Sequence, residues 1–275
     1  MSLLNNTNLN ALLKGDFEAR LLQSAYSRIH DYNDPLRGPI FALLMRELIR
    51  IVMDRIAPDA AVAQASWCKG NEWTYSDQNG NLKLTRRSRY RFAITGTISD
   101  EKIALYPKLN CANVINNLVS LVEKLSKFAH ISPGTFDLKI GETTAFLNEV
   151  EAVVSEYANM LTKTKDEIKD IIWTIVDDSV NQHVSEAIPD ELDALSGQTL
   201  VENVHMENLQ DFDTSSLTPV LTGSGFAEIQ LNYGHGDDHS SSSDSYPITF
   251  AVKIDPESFE VDVISVSVDT SSFYE

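Results

Sequence analysis

The sequence predicts an α+β fold, in which a helical N-terminal region is followed by a small antiparallel β-rich C-terminal region. Apolar residues recur with a period near 3.6 up to about residue 187, and with a period of two after Gly197. Charge changes as well: residues 1–150 carry 18 Lys and Arg against 15 Asp and Glu, whereas residues 151–275 carry 4 against 25. We therefore predict a helical domain with a basic patch over residues 1–197, and an acidic antiparallel β domain over residues 198–275.

Two helices are predicted near the N-terminus. The first runs from about Asp16 to His30, where apolar residues recur every fourth position. The second runs from Pro35 to Ile56, because Asp34 followed by Pro35 is typical of an N-cap and a proline at the first helical position. Arg46 and Arg50 lie four residues apart and are therefore expected on one face of this helix.

Three further helices are predicted before the pattern changes. One covers residues 110–130 and ends before Pro133, and the next covers residues 144–161. The third covers residues 164–187, because Thr164 and Glu167 have the spacing of a capping box that starts a new helix.

The C-terminal region predicts a sheet of three to five strands. Polar and apolar residues alternate in residues 226–233 and 247–254, and the segment between these strands is interpreted as a long hairpin loop. In residues 259–268 the alternation changes phase between Val263 and Ile264, which predicts a β-bulge.

Composition favours a cytoplasmic protein. The N-terminus has neither the basic residues nor the apolar run of a signal peptide, and no stretch approaches 18 apolar residues. Cys68 and Cys111 are too few for a disulfide framework and are expected to be reduced. We predict no membrane partner. Any anionic ligand is expected on the N-terminal half, because the acidic half repels phosphate.

A compact basic run is the first candidate for binding. Four arginines and two aromatic residues occupy seven positions: Arg86, Arg87, Arg89, Tyr90, Arg91 and Phe92. Guanidinium groups bind phosphate in a bidentate manner, and aromatic rings stack on bases. The alternative is a helix start with solvated arginines that pair with the acidic region.

A polar helix face supplies the candidate for proton transfer. Glu123, Lys127 and His130 lie at i, i+4 and i+7 and share one face of the predicted helix, and Lys124 lies beside them. A histidine there could act as a general acid or base. The alternative is a surface histidine that the helix dipole stabilises at a C-terminal end.

Metal-binding patterns are weak, so the cofactor stays unknown and a divalent metal is one option. The sequence HGDDH at residues 235–239 has suitable ligands, but the serine-rich loop around it offers few groups to orient them. Asp137 and Lys139, with Asp100 as an earlier acid, fit the Asp-x-Lys pattern of metal-dependent nucleases, although three letters recur by chance. TGSG at Thr222 lacks the lysine and helix of a phosphate-binding loop.

Several stretches together resemble a bacterial family described as predicted pPIWI-associating nucleases, found among prokaryotic defence and conflict systems. In the N-terminal half these stretches are HDYNDPLRGPIFALLMRELIRIVMDRIAPD, ASWCKGNEW, LTRRSRYRFAITGTISDE and VEKLSKFAHISPGTF. Near the C-terminus they are TGSGFAEIQLNYG, YPITFAVKI and DTSSFYE. The resemblance covers most of residues 20–275, and its specificity lies in the combination.

The resemblance implies a nuclease and suggests its site residues. The polar or aromatic positions within the matching stretches are Arg37, Arg46, Glu47, Trp67, Lys69, Arg86, Arg87, Ser126, Lys127 and His130. The phosphate-binding residues are then Arg46, Lys69, Arg86 and Arg87. His130 or Lys127 would assist proton transfer. Glu47 would either take part in catalysis by binding a metal, or pair with Arg50.

Three functions stay open at this stage. The chain is a nuclease-like effector acting on nucleic acid or nucleotide phosphates, or a non-enzymatic sensor module. In the second case the arginines bind an anionic ligand, and the acidic half docks a basic protein partner or mimics nucleic acid. In the third case the two halves neutralise each other within a homo-oligomer, whose association would depend strongly on salt.

Overall fold

In a computed structural model the chain forms two compact units, Met1–Asp166 and Glu167–Glu275. The structure describes residues 3–196, 198–210, 220–234 and 240–274. Helices dominate the first unit, and the second contains a four-stranded antiparallel sheet, so the predicted α+β class is confirmed. Within the described ranges, no helix contains an apolar stretch long enough to cross a membrane.

The first unit consists mainly of helices, with one short hairpin. Its helices are α1 (Thr7–Leu12), α2 (Asp16–Ile29), α3 (Arg37–Ile56), α4 (Asp59–Val62), α5 (Arg86–Thr95), α6 (Asp100–Leu105), α7 (Ala112–Phe128) and the beginning of α8 (Ile140–Glu186). The hairpin pairs β1 (Thr74–Ser76) with β2 (Leu82–Leu84) in antiparallel register. The core lies between α2, α3, α7 and α8, where Phe41, Met45, Leu118 and Val150 are almost completely buried.

Helix α3 begins two residues later than predicted. The Asp34 carboxylate accepts a hydrogen bond from the Leu36 amide at 2.8 Å, so Asp34 closes a turn before the helix. The buried Arg37 then fixes the helix start, because its guanidinium donates to the carbonyl oxygens of Tyr32 and Leu138. Arg37 is one of the polar positions in the stretches that carry the resemblance. Its guanidinium is buried and forms hydrogen bonds within the fold.

The predicted helix break at Thr164 is wrong. Residues 140–186 form one helix, and Thr164 lies in its interior with a side chain that is 1% exposed. The reason lies in the stripe of buried residues on α8, which continues from Leu161 to Ile168 without interruption by glycine or proline. The tertiary burial of this stripe outweighs the local capping preference.

Replacing Thr164 by valine should stabilise the protein by about 1 kcal/mol. The Thr164 hydroxyl is buried and has no hydrogen-bond partner among the residues that the structure describes, and such a group costs about 1–3 kcal/mol. Urea unfolding followed by circular dichroism would measure the change, with the exposed Thr174→Val as the control. A loss of stability in Thr164→Val would contradict the interior position, because removing a true N-cap costs about 1 kcal/mol.

The sheet of the second unit has the strand order β3-β4-β5-β6, and every neighbouring pair is antiparallel. Its strands are β3 (Gln198–Leu209), β4 (Val220–Tyr233), β5 (Ser240–Ile254) and β6 (Val261–Val268). The predicted bulge is confirmed, since Val263 pairs with Val252 and Ser265 with Ala251, which leaves Ile264 between two pairs.

Strands β4 and β5 both begin earlier than predicted, at Val220 rather than residue 226 and at Ser240 rather than residue 247. Ser240 pairs with Tyr233, so the serine-rich segment that was interpreted as loop belongs to β5. Cross-strand pairing with β4 imposes the extended conformation that serine alone does not favour. The strand β3 was not identified in the sequence.

The second half of α8 belongs to the same compact unit as the sheet. The Asn181 amide donates to the Asn203 side-chain oxygen at 3.1 Å, and Asp177 accepts from the Met206 amide at 3.3 Å. The boundary predicted at residue 197 follows the change from helix to strand. The compact units divide earlier, at Asp166, because side chains in the second half of α8 form hydrogen bonds with the sheet.

Candidate functional site

The basic run forms helix α5, and the helical period divides its arginines between two faces. Thr85 caps the helix by accepting a hydrogen bond from the Ser88 amide at 3.2 Å. Successive residues are rotated by about 100° on a helix, so residues three and four apart share a face. Arg86 and Arg89 consequently lie on one face with Tyr90, whereas Arg87 and Arg91 lie on another.

The first face lines a cavity of about 410 Å³, formed by α3, α5, α7 and the β1–β2 hairpin within the first unit. We call it the arginine cavity. Its charged and aromatic lining residues are Arg46, Glu47, Arg50, Tyr75, Arg86, Arg89 and Tyr90. Its apolar lining residues are Ile49, Met53, Leu84 and Val122. A volume of this size suits a small ligand or one unit of a polymer.

Carboxylates hold three of the four arginines in place. The Glu47 carboxylate forms ion pairs with Arg46 and Arg50, at N···O distances of 3.1 Å and 2.8 Å. Asp54 links α3 to α5, because its carboxylate forms ion pairs with Arg50 on α3 at 2.8 Å and with Arg89 on α5 at 2.7 Å. These contacts position the guanidinium groups before any ligand arrives.

Arg86 differs from the other arginines of the cavity. Its side chain is exposed, and within the described part of the chain no carboxylate lies at ion-pair distance from it. Four arginines and Glu47 line the arginine cavity, and Asp54 and Asp59 beside it pair with Arg50 and Arg89, so the whole cluster carries a formal charge of +1. The cavity is therefore suited to an anion, and Arg86 is the cation that is available to bind it.

Glu47 is an anchor for arginines. The hydrogen bond from Arg50 lowers the pKa of Glu47, with a further contribution from Arg46, so its carboxylate stays ionised and is a weak base. Among the described residues, no group of three or more His, Cys, Asp or Glu side chains is arranged to hold a metal ion. The ion pair between Glu47 and Arg50 agrees with the second of the two predicted roles of Glu47, in which it pairs with Arg50.

Tyr90 contributes a rigid, neutral wall. Its side chain is 4% exposed, and burial raises its pKa to about 12 although Arg86 and Arg89 oppose the shift. Its ring packs edge-on against Tyr157 with 5.9 Å between centroids. Tyr157 also donates a hydrogen bond to the Tyr90 carbonyl oxygen at 2.9 Å, which ties α5 to the core.

The second face of α5 lies in a different environment. Arg87 pairs with Glu72 at 3.5 Å, and Arg91 is buried beside Trp67 and Trp73. Both arginines line a second cavity of about 400 Å³, whose lining also includes Glu72 and Asp100. The charges of this second cavity balance, so it is less suited to an anion than the arginine cavity.

The remaining predicted site residues lie elsewhere on the first unit. Lys69 is exposed in the segment between α4 and β1. Lys127 and His130 are exposed at the C-terminal end of α7, where the His130 amide donates to the Lys127 carbonyl oxygen at 3.3 Å. None of these three lines the arginine cavity. Their roles in phosphate binding and proton transfer stay predictions.

In the described part of the chain, the residues of the predicted metal-binding patterns do not form one site either. Asp100 is bound to Arg91 at 2.7 Å. Asp137 lies in the loop before α8, where its amide donates to the Pro35 carbonyl oxygen at 2.8 Å. Residues 235–239 lie outside the described ranges. TGSG forms part of β4, so its glycines serve strand packing.

Sequence reasoning placed Arg89 in the basic run without assigning it a phosphate contact, and it did not select Arg50 or Tyr75 as site residues. Arg50 could have been found from its spacing of four to Arg46, and Arg89 from its spacing of three to Arg86. Tyr75 gives no such pattern, because the fold of the hairpin alone brings it to the cavity.

Fold and site together define an α+β protein of two units, with an arginine-lined cavity in the helical unit. Two family models, both described as predicted pPIWI-associating nuclease, match residues 10–157 and 161–274. The chain therefore belongs to the family of predicted pPIWI-associating nucleases. No curated protein and no solved structure matches it.

Proposed function

We propose that this chain is a nuclease-like effector of a prokaryotic defence system that binds the phosphate of a nucleic acid or nucleotide in the arginine cavity. The observation that carries the proposal is the convergence of four arginines from α3 and α5 on one cavity, with Arg86 unpaired among the described residues. Membership of a predicted nuclease family supports the same class of ligand.

In this proposal the residues have separate tasks. Arg46 and Arg86 contact the phosphate, while Glu47 and Asp54 hold Arg50 and Arg89 in position around it. Proton transfer is assigned to Lys127, in the last turn of α7, or to His130, two residues after the end of that helix. A cleavage assay with His130→Ala tests that assignment separately from binding.

Arg86→Ala should weaken phosphate binding about 10- to 100-fold, because a hydrogen bond to a charged group contributes about 1.5–3 kcal/mol. Arg87→Ala is the matched control, since this neighbouring arginine lies on the other face of α5 and pairs with Glu72. Binding of a fluorescent phosphorylated oligonucleotide would be measured at two salt concentrations. Equal losses in the two variants would contradict the placement of the site.

Cleavage of single- and double-stranded DNA and RNA should be assayed with Mg²⁺, Mn²⁺ or EDTA. The proposal expects cleavage by the wild type, and its loss in Arg86→Ala under the conditions that support it. Binding without cleavage under every condition would contradict the nuclease activity while leaving the binding site in place.

A non-enzymatic sensor is the second candidate, and the state of Glu47 favours it. Among the described residues, this carboxylate is the one acid in the cavity lining, and its two ion pairs and lowered pKa make it a poor proton acceptor. Residues 167–275 contain 22 Asp and Glu against 2 Lys, which would suit a basic protein partner. Self-association that appears in sedimentation at low salt and weakens as salt rises would instead favour the third function, in which the two halves neutralise each other within a homo-oligomer.

A further inference from the structure

The hairpin places an aromatic ring at the arginine cavity. Tyr75 on β1 lines the cavity and is 54% exposed. Among the described residues, no other aromatic ring stacks against it. Tyr90, the other tyrosine of the cavity, has its ring buried against Tyr157. Tyr75 is therefore the ring in this lining whose face can receive a ligand.

The position of Tyr75 is well defined by the hairpin around it. The Asp77 carboxylate accepts hydrogen bonds from the amides of Asn79 and Asn81, both at 2.9 Å, and so closes the turn. On the other side, Thr74 is buried and its hydroxyl donates to the Gly70 carbonyl oxygen at 3.0 Å. These bonds fix the backbone on both sides of Tyr75, so only the torsions of its side chain lose conformational entropy when a ligand stacks on the ring.

A phosphate-binding arginine and an exposed aromatic ring in one cavity match the chemistry of an unpaired nucleotide. Arg86 would take the phosphate, and Tyr75 would stack on the attached base. In the interior of a duplex both faces of each base are covered by neighbouring bases, so Tyr75 could stack only on the exposed face of a terminal base pair. Cavity size agrees, because about 410 Å³ suits one nucleotide.

We infer that the arginine cavity takes nucleotides whose base is unpaired, with Tyr75 as the stacking residue that selects single strands over duplexes. This inference rests on the proposed phosphate binding by Arg86. Its ligand could come from two sources, a single-stranded nucleic acid or a free nucleotide, which share an accessible base joined to a phosphate.

The test compares Tyr75→Leu with Tyr75→Phe, which keeps the ring. Three fluorescence-detected probes are used: a single-stranded oligonucleotide, the same sequence as a blunt duplex, and a mononucleotide. Ribose 5-phosphate, which has no base, is measured as an unlabelled competitor. Tyr75→Leu should weaken single-strand binding about 5- to 100-fold, whereas Tyr75→Phe should bind as the wild type does. Binding of ribose 5-phosphate should not change in either variant. Leu82→Ala, an exposed residue of the same hairpin outside the lining, is the control.

The outcomes separate this inference from the proposed function. If Arg86→Ala weakens every probe but Tyr75→Leu weakens none, or weakens ribose 5-phosphate equally, the phosphate site stands and base stacking is refuted. If Arg86→Ala weakens no probe, the proposed site itself fails. Duplex binding equal to single-strand binding would also overturn the inference. A mononucleotide that binds as tightly as the oligonucleotide would identify a free nucleotide as the ligand; weaker binding would identify a strand.

Discussion

Arg91→Ala should lower the free energy of unfolding by roughly 2–4 kcal/mol, since a desolvated cation over aromatic rings contributes about 2 kcal/mol and its charged hydrogen bonds add to this. The Arg91 guanidinium carbon lies 4.0 Å from the centroid of the Trp67 ring and 5.0 Å from that of Trp73. One guanidinium nitrogen contacts Asp100 at 2.7 Å, and another donates to the Ile98 carbonyl oxygen at 3.3 Å. Only 4% of the residue is exposed.

Two further variants separate charge from packing at Arg91. Arg87→Ala, on the same face of α5 but partly exposed, should change stability by less than about 0.5 kcal/mol. Arg91→Met keeps most of the apolar stem and should recover part of the loss. Urea unfolding would be followed by tryptophan fluorescence in a Trp173→Phe background, so that the signal comes from Trp67 and Trp73. A wild-type midpoint for Arg91→Ala would show that the two tryptophans hold this region without the arginine.

Gly225→Ala should destabilise the second unit by about 3 kcal/mol, the upper range for forcing extra atoms into a packed site. A Cβ at Gly225 would lie 3.0 Å from both the His205 carbonyl carbon and the Met206 Cα, and nearer still to the His205 carbonyl oxygen. Strand β4 lies between β3 and β5, so its backbone has little freedom to move away.

Ser224→Ala is the matched control for Gly225→Ala, because Ser224 is the preceding residue of the same strand and already has a Cβ. Thermal unfolding followed by circular dichroism in the β-sheet region would compare the two variants. An unchanged midpoint for Gly225→Ala would contradict the close approach of β3 and β4 at this position. The same approach explains why the TGSG sequence has glycine without forming a phosphate-binding loop.

Much of the fold could be predicted because local patterns and tertiary burial agree. Helices α2, α3 and α7 appear within about two residues of their predicted bounds, since their apolar stripes face one core. Among the predicted helices, the break at Thr164 is the exception. Its capping pattern is purely local, whereas the buried stripe of α8 extends through it.

The site was predicted only in part, for a geometric reason. Arg46, Glu47 and Arg86 were selected from the sequence and do meet in one cavity. Arg86 and Arg87 were selected together, but adjacent residues point about 100° apart on a helix, and the two side chains line different cavities. The sequence does not show which face of α5 lines the arginine cavity, because that depends on how α5 packs against α3 and α7.

The sequence by itself determined the fold class, the opposite charges of the two halves and the family, because period, composition and motif combinations are all written along the chain. Tertiary structure alone decided which arginines converge, which carboxylates hold them, and that Tyr75 reaches the same cavity from a separate hairpin. The physical reason is that a binding site depends on distances between residues far apart in sequence. Local preferences do not specify those distances until the helices pack.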